Sequence, residues 1–482
     1  MSGFRLIDIA KPFIPLLPEI EISPEAISFD DKVVYTIGSA FIYLFLQLPV
    51  CGGQGITNDP FAYLRPVFAA ERGTLLEFGV FPIISSGLLF QLLAGVKLIK
   101  VNLNSVNERT LFQSAQKLFA IFQYFLLTNI MLATGYFGYS LSITQVILIN
   151  VQIVGAGTFV TLIAEVLDKG YGFGSGAMSF IAVNTATNFI ADILGFNTVQ
   201  TGSGYQSQGA IINLVSNIRN KSWTRAIWDS FTRKNLPNLT QAYIVIITLL
   251  IAVFLQNFRI DLPIRSNRVR GASNVYPIRL LYTGAMPLVY SYVVLFYLNL
   301  IGYTIVNLGF RNNPSHIVVK ILGYYSSSPF TNQFTVESPS VMYFLSPSTS
   351  LYQALTHPLK NIVFSAIVII TSATFANTWC MISGSSPRDI AATFKEQGIS
   401  LAGRRDISVS KELSRVIPIA AVSGATCLSI LTIVGEWFGG RGKGAAVAIA
   451  VAIAFSFLEL IATEYQQAGG SQNFGQIFNQ GL

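Results

Sequence analysis

Long apolar windows without a charged residue recur along the chain, separated by segments that hold the charged residues. A helix needs about 20 mostly apolar residues to cross the hydrocarbon core of a bilayer. The windows lie at residues 33–58, 78–96, 118–164, 170–191, 235–258, 280–310, 361–387, 416–435 and 444–458. The third window is long enough for two helices and has a glycine-rich break at 135–140, which is typical of a tight turn. The pattern therefore predicts ten membrane-spanning helices.

Ten spans divide into two sets of five, with the polar stretch 197–238 between them. Halves with an odd number of spans, joined in sequence, must be inverted relative to each other in the membrane. Inverted repeats commonly place a path or a binding site at their interface. We expect an all-α polytopic membrane protein with an N-terminal half at 1–196, a connection at 197–238 and a C-terminal half at 239–482.

Composition supports this fold class. Of the 482 residues, 52% are apolar and 11% are charged, whereas soluble domains carry about 25% charged residues. A soluble globular enzyme and a disordered chain are both excluded on this ground. The net charge is +8, and two connections, 259–279 and 382–415, are rich in arginine. If both termini are cytosolic, these connections are cytosolic too, as the positive-inside rule favours, although the cations of 197–238 run against that rule.

Signatures of enzymes and of metal or cofactor sites are lacking in the sequence. It has no HExxH motif and no GxxxxGK[ST] motif, and its two histidines, His316 and His357, lie outside the spans. The G-x-G-x-x-A motif at 172–177 follows a helix end rather than a strand, so it does not indicate a dinucleotide site. The three cysteines are too scattered for a zinc site. We expect no catalysis, no cofactor and no metal.

A secondary transporter of a small solute is the alternative function, because inverted repeats are common in transporters. Ionisable residues within spans usually mark ion or proton paths. Here they are few and lie mostly near span ends: Glu77, Glu165, Asp168, Asp192 and Glu459. No span has two facing carboxylates at its centre. This argues against coupled transport, and two long arginine-rich loops have no evident use in moving a small solute.

Residues 58–70 are too short and too polar at their ends to span the membrane, yet too apolar for an exposed loop. Irregular backbone at membrane depth is tolerated only where protein shelters it. A half-inserted segment in a protein-lined cavity fits this composition, and a surface amphipathic turn fits it as well.

Several segments resemble the SecY family, specifically the alpha subunit of the protein-conducting channel of the endoplasmic reticulum. They are RGTLLEFG at 72–79, KGYGFGSG at 169–176, the loop at 262–278 and the loop at 383–405. The similarity covers essentially the whole chain and keeps the order of all ten spans. The chain start at 4–8 and the end at 464–467 look more like the second, paralogous channel of budding yeasts.

The resemblance implies a central pore closed by an apolar ring and a plug. The ring residues align with Val80, Ile84, Ala177, Ile181, Val289 and Ile449. Ala177 is smaller than the family usually has there, so we expect a wider ring on that side. The plug aligns with 58–70 and includes Asp59, Pro60, Phe61, Tyr63, Leu64 and Val67.

The resemblance also implies a lateral gate between spans two and three on one side and seven and eight on the other. Family members carry a small polar cluster there. The aligned positions in this chain are Ser85, Leu127 and Tyr297, with Thr128 adjacent. Because Leu127 and Tyr297 depart from the family pattern, the polar contacts of the gate stay open at this point.

The partners and location that the resemblance implies are those of a translocon. The arginine-rich loops would contact the ribosome through Arg268, Arg270, Arg404 and Arg405, whose guanidinium groups suit rRNA phosphates. Small single-span beta and gamma subunits would complete a heterotrimer, and signal sequences, nascent chains and membrane lipid would be the other partners. We expect a multi-pass protein of the endoplasmic reticulum membrane with both termini cytosolic.

Overall fold

The computed structural model describes residues 6–53, 59–99, 101, 105–138, 140–201, 204–220, 222–233, 236–266, 273–327, 334–336, 339–348, 350–382, 386–397, 399–401 and 406–467. In chain order the helices are α1 (Phe29–Phe45), α2 (Phe81–Gly95), α3 (Val106–Ala133), α4 (Ile143–Val166), α5 (Gly176–Leu194), α6 (Ala210–Asn220), α7 (Trp223–Thr232), α8 (Leu239–Gln256), α9 (Met286–Thr304), α10 (Ile317–Leu322), α11 (Val341–Leu345), α12 (Leu351–Thr356), α13 (Pro358–Ile382), α14 (Pro387–Gln397), α15 (Asp406–Trp437) and α16 (Lys443–Gln467). The strands are β1 (Thr198–Thr201), β2 (Gly204–Ser207), β3 (Arg259–Ser266), β4 (Ser273–Arg279), β5 (Tyr325–Ser327), β6 (Phe334–Val336) and β7 (Ile399–Leu401). Single 3₁₀ segments occur at Leu6–Leu16 and Arg65–Phe68, and π-helical turns at Leu167–Tyr171 and Ile305–Gly309 extend α4 and α9.

Every predicted span corresponds to a helix. Within the described ranges, 8 helices are long and apolar enough to cross a membrane: α3, α4, α5, α8, α9, α13, α15 and α16. The other two windows hold α1, with 17 residues, and α2, with 15 residues. The predicted break between spans three and four is confirmed, since Gly135 and Gly138 both have positive φ there.

Polar residues directly before the apolar windows cap the helices. Ser142 and Gln145 form a reciprocal capping box at the start of α4. The Asn238 side chain accepts a hydrogen bond from the Gln241 N–H at 2.9 Å at the start of α8. Such caps satisfy backbone N–H groups that have no partner within the helix.

Two stretches predicted as connections contain regular structure. Within 382–415 the chain forms α14 and strand β7, and α15 begins at Asp406, ten residues before the apolar window. Charged residues end a hydropathy window, but Lys, Glu and Arg are good helix formers, so the helix continues beyond it. The connection 197–238 holds the hairpin β1–β2 and the short helices α6 and α7.

The connections after α8 and α13 join in one antiparallel sheet of order β4–β3–β7. Strand β3 pairs with β4 from Arg259↔Arg279 to Arg265↔Ser273, and β7 adds to the other edge of β3 at Ile264↔Leu401. Beneath the sheet, the ring of Tyr276 meets that of Phe394 edge-on at 5.1 Å. The two arginine-rich connections are therefore one structural unit.

The largest apolar cluster lies at the centre of the helix bundle and includes side chains of α2, α5, α9 and α16. Phe61, Leu64, Val67 and Phe68, from the predicted plug, belong to the same cluster and are almost fully buried. Residues 59–70 are therefore sheltered by protein, which excludes the surface-turn interpretation.

Candidate functional site

The six aligned ring residues all lie in the central cluster, and none is more than 6% exposed. They come from four elements, because Val80 directly precedes α2, which carries Ile84, and the rest lie on α5, α9 and α16. Ala177 and Ile181 are four residues apart on α5 and so share one face of that helix. All six therefore belong to one buried apolar cluster, to which both halves contribute.

The predicted plug consists of a turn at 60–64 followed by the 3₁₀ segment Arg65–Phe68. The Phe61 ring lies 5.1 Å from that of Phe296 and 5.7 Å from that of Tyr303, both on α9. Phe68 packs edge-on against Phe81 at 5.0 Å. The apolar side of the plug is thus fitted against α9 and the start of α2.

A buried ionic cluster holds the other side of the plug. Arg65 forms ion pairs with Asp59 and Glu77, and its Nη1 also donates to the Glu77 carbonyl at 2.7 Å. The Arg65 Nη2 donates to the Tyr136 hydroxyl at 2.8 Å. Glu77 in turn accepts a hydrogen bond from the Gly73 N–H at 2.6 Å. The sequence indicated Glu77 only as an isolated carboxylate near a span end and did not indicate Arg65 as its partner.

Tyr63 connects the plug to the C-terminal half. Its hydroxyl donates to the Leu345 carbonyl at 3.1 Å and accepts from the Asn299 Nδ2 at 2.9 Å. A Cβ at Gly442 would lie 1.9 Å from the Tyr63 carbonyl oxygen, which explains a glycine between α15 and α16. Pro60 lies at the edge of the plug and is half-buried.

The end of the plug is fixed to α1 and α2 through its backbone. The Tyr43 hydroxyl donates to the Ala69 carbonyl at 2.6 Å, and the Val80 N–H donates to the Phe68 carbonyl at 3.0 Å. Gly79 has φ +50°, and a Cβ there would lie 2.3 Å from the Phe68 carbonyl oxygen. The plug therefore ends in direct contact with the backbone that leads into the ring residue Val80.

A chain of polar contacts crosses the aligned lateral gate. The Ser85 hydroxyl on α2 donates to the Gln123 Oε1 on α3 at 2.6 Å, and the Gln123 Nε2 donates to the Tyr297 hydroxyl on α9 at 3.0 Å. Alignment by position missed Gln123, which lies one helical turn before Leu127 on the same face of α3. This four-residue spacing from Leu127 was the signal available in the sequence.

The other two aligned gate residues make no polar contact across the gate. Leu127 is buried in the central apolar cluster. Thr128 is also buried, and its hydroxyl donates to the Tyr124 carbonyl of its own helix at 2.7 Å. Candidate gate contacts therefore pass through Ser85, Gln123 and Tyr297.

The four aligned ribosome-contact arginines, Arg268, Arg270, Arg404 and Arg405, lie outside the described residues. Their flanks are described: β3 ends at Ser266, β4 begins at Ser273, β7 ends at Leu401 and α15 begins at Asp406. Both arginine pairs are thus carried by segments that leave the same three-stranded sheet.

Comparison with known proteins gives a consistent result. The family model of SecY matches residues 74–458 of the chain. The Sec sixty-one protein homolog of Saccharomyces cerevisiae is 49% identical over 486 aligned positions, which cover 99% of each chain. The chain belongs to the SecY family. The Sec61 alpha subunit of Neurospora crassa is 37% identical and covers 96% of this chain and 98% of its own length.

Solved structures agree with membership of the SecY family. The yeast Ssh1 complex, determined idle and bound to the yeast 80S ribosome, contains a chain with a TM-score of 0.76 and 46% identity that covers 98% of both chains. A protein-conducting channel gives a TM-score of 0.78 at 23% identity, covering 96% of this chain and 98% of the other, which shows the shared fold. The ten-helix SecY fold predicted from the sequence is thereby confirmed. The higher identity to the yeast homolog than to the Neurospora subunit is consistent with the paralogous second channel.

Proposed function

We propose that this chain is the pore-forming subunit of a channel that moves nascent polypeptides across the endoplasmic reticulum membrane and releases membrane proteins sideways into the bilayer. The observation that carries the proposal is the burial of six aligned apolar residues from both halves in the same cluster as the aligned plug residues. Relatives described as protein transport proteins support it. In this role the chain is a passive conduit rather than an enzyme, and it needs no cofactor or metal.

The ring and plug act together as the seal of the idle channel. A narrow apolar constriction excludes water and ions by dewetting. Branched side chains such as Ile84, Ile181 and Ile449 also fit loosely around many unrelated peptide side chains. The plug adds a second closure on the same path, held by Arg65 on one side and by Phe61 on the other.

Sideways release requires separation of α2 and α3 from α9 and α13. In the structure this boundary is closed by the Gln123–Tyr297 hydrogen bond and by the tilted contact of the Phe81 and Phe296 rings, whose centroids lie 4.0 Å apart. A hydrophobic signal sequence would replace these contacts with its own apolar surface. The interface between the halves 1–196 and 239–482 is therefore the proposed route for peptide and lipid exchange.

Ribosome binding is assigned to Arg268, Arg270, Arg404 and Arg405. The ribosome-bound yeast Ssh1 complex supports this assignment. Guanidinium groups bind phosphates through paired N–H donors, and rRNA offers a dense array of phosphates. The sheet β4–β3–β7 would present both pairs from one rigid base.

The proposed topology places both termini and the sheet β4–β3–β7 in the cytosol, with 197–238 in the lumen. Small single-span beta and gamma subunits would complete the heterotrimer. An introduced glycosylation acceptor within 390–410 should stay unmodified under this topology.

Cysteine crosslinking to a stalled secretory chain tests the pore. After replacement of Cys51, Cys380 and Cys427 by serine, Ile181→Cys is expected to form a disulfide with a cysteine in the translocating segment. The matched control is Ile190→Cys, nine residues along α5 on its opposite, exposed face. Equal crosslinking at both positions, or crosslinking only at 190, would contradict the proposed path.

A further inference from the structure

Helix α7 (Trp223–Thr232) presents a large apolar surface to the outside of the protein. Trp223 and Trp228 are each 68% exposed, and Ile227 and Phe231 are exposed beside them. Large exposed apolar patches on a folded protein mark sites of interaction with protein or membrane. The translocation function assigned above makes no use of this surface.

The residues of α7 fall into three arcs around the helix axis. At 3.6 residues per turn, Trp223, Ile227, Phe231 and Trp228 occupy an arc of about 140°. Thr232, Arg225 and Asp229 follow on the next arc, which thus carries charges of both signs, and the buried Ala226 and Ser230 form the third, against the protein. A helix that has an apolar arc and a charged arc suits a membrane–water boundary, and the third arc packs against the rest of the protein.

The apolar arc continues directly onto a surface that lipid covers. The Phe231 ring stacks on that of Tyr243 in α8, with centroids 6.0 Å apart and planes 10° from parallel. Tyr243 begins an exposed stripe along this spanning helix that continues through Ile247, Leu250 and Phe254. A spanning helix exposes such a stripe to acyl chains, so the same lipid reaches α7.

Two arginines on and near α7 suit lipid phosphates, although Asp229 on α7 carries the opposite charge. Arg219 and Arg225 are exposed, and neither forms an ion pair or hydrogen bond within the described part of the chain. Arg233 differs, since its Nη2 donates to the Ser207 carbonyl at 2.6 Å and serves the hairpin β1–β2 instead. Contact of Arg219 and Arg225 with lipid phosphates would account for cations in a connection where the positive-inside rule disfavours them.

We propose that α7 lies in the headgroup layer on the side of the membrane where α5 and α8 are joined, and binds phospholipid there. Trp223 and Trp228 lie at the acyl boundary, where tryptophan is enriched in membrane proteins. Arg219 and Arg225 contact lipid phosphates. The surface thereby anchors the connection between the two halves to the bilayer.

Tryptophan quenching in vesicles tests the proposal. The full chain is reconstituted in phosphatidylcholine containing a minority of phosphatidylserine, with bromine placed either near the head or near the middle of the acyl chain. Variants that keep only Trp228 or only Trp223, with the remaining tryptophans changed to Phe, are compared with a variant that keeps only Trp379. We expect Trp223 and Trp228 to lose most of their fluorescence with head-proximal bromine and much less with bromine at mid-chain.

Two variants that each add one carboxylate to α7 test which arc of the helix faces the lipid. Ile227→Glu places a carboxylate at the centre of the apolar arc and should abolish most of the bromolipid quenching of Trp228. Thr232→Glu places the same charge on the polar arc and should leave it unchanged. If single-tryptophan variants fold poorly, the difference between wild type and Trp223→Phe/Trp228→Phe reports the same signal.

Two results would overturn the proposal. Strong quenching of Trp228 by aqueous iodide with none by bromolipid would place α7 in solution. Protection from both quenchers would show that a protein, or a second copy of the chain, covers this face.

Discussion

Arg65 is the residue whose loss should affect the closed channel most. Its side chain is 10% exposed, and its partners Asp59 and Glu77 have side chains that are 3% and 1% exposed. Arg65→Met keeps much of the side-chain volume but leaves two buried carboxylates without a cation. Removing one member of a buried ion pair costs about 3–5 kcal/mol.

This cost falls on the closed state, because displacement of the plug lets Asp59 reach water. Taking the lower end, about 3 kcal/mol corresponds to a shift on the order of a hundredfold in the closed-to-open equilibrium, at about 1.4 kcal/mol per factor of ten. We therefore expect the open probability of the idle channel in a planar bilayer to rise by that order. Arg109→Met, on the exposed part of α3, is the matched control and should behave as wild type.

A neutral variant distinguishes the electrostatic argument from simple loss of packing. Asp59→Asn/Arg65→Met/Glu77→Gln removes the orphan charges and should recover most of the seal. The reasoning is refuted if Arg65→Met is as tight as wild type. It is also refuted if the triple variant leaks as much as the single one.

Two further predictions concern the ring and the ribosome. Changing Ile84, Ile181 and Ile449 to Ser should make the idle channel leak ions, because polar atoms hold water in the constriction; conductance no higher than that of wild type would show that they do not line the pore. Arg270→Glu/Arg405→Glu should weaken ribosome binding with the helix bundle still folded, as co-sedimentation at low and moderate salt would show; unchanged binding at both salt concentrations would remove these residues from the interface.

The membrane spans were predictable because hydropathy acts locally along the chain. Every charge-free window became a helix, and the glycine pair at 135 and 138 formed the predicted turn. Helix ends were less predictable. Helix α15 starts at Asp406, ten residues before its apolar window, because charged residues end a hydropathy window without ending the helix. The spans and the turn, which short stretches of sequence encode, could therefore be predicted, whereas the polar extension of a helix beyond its apolar window could not.

Contacts between distant segments account for what the sequence did not predict. The pairing of Ile264 with Leu401 joins two loops that lie on either side of five intervening helices. The ion pair of Arg65 with Glu77 depends on how the plug folds back on the start of α2. The ring residues have no distinguishing composition, so only family resemblance indicated them. Their burial in one cluster is a property of the folded chain.

The contacts of Gln123 also join distant segments and could not be predicted from the sequence. Gln123 links Ser85 to Tyr297 across the gate through hydrogen bonds of 2.6 and 3.0 Å. Only the Gln123–Tyr297 bond crosses the gate, since Ser85 and Gln123 lie on α2 and α3, on the same side of it. A net hydrogen bond contributes about 0.5–1.5 kcal/mol, so Gln123→Leu should weaken gate closure by about that amount. We expect the variant to accept less hydrophobic signal sequences, measured by translocation of reporters with signals of graded hydrophobicity.

The sign of the effect depends on the polar groups that the Gln123→Leu substitution leaves behind. In this variant the hydroxyls of Ser85 and Tyr297 remain at an apolar boundary with fewer partners, which destabilises the closed gate. Removing all three polar groups, with Ser85→Ala/Gln123→Leu/Tyr297→Phe, leaves an apolar contact that should close at least as firmly as wild type and demand more hydrophobic signals. If the single and triple variants shift the signal threshold in the same direction, unpartnered polar groups are not the cause, and the gate is not held by this chain of hydrogen bonds.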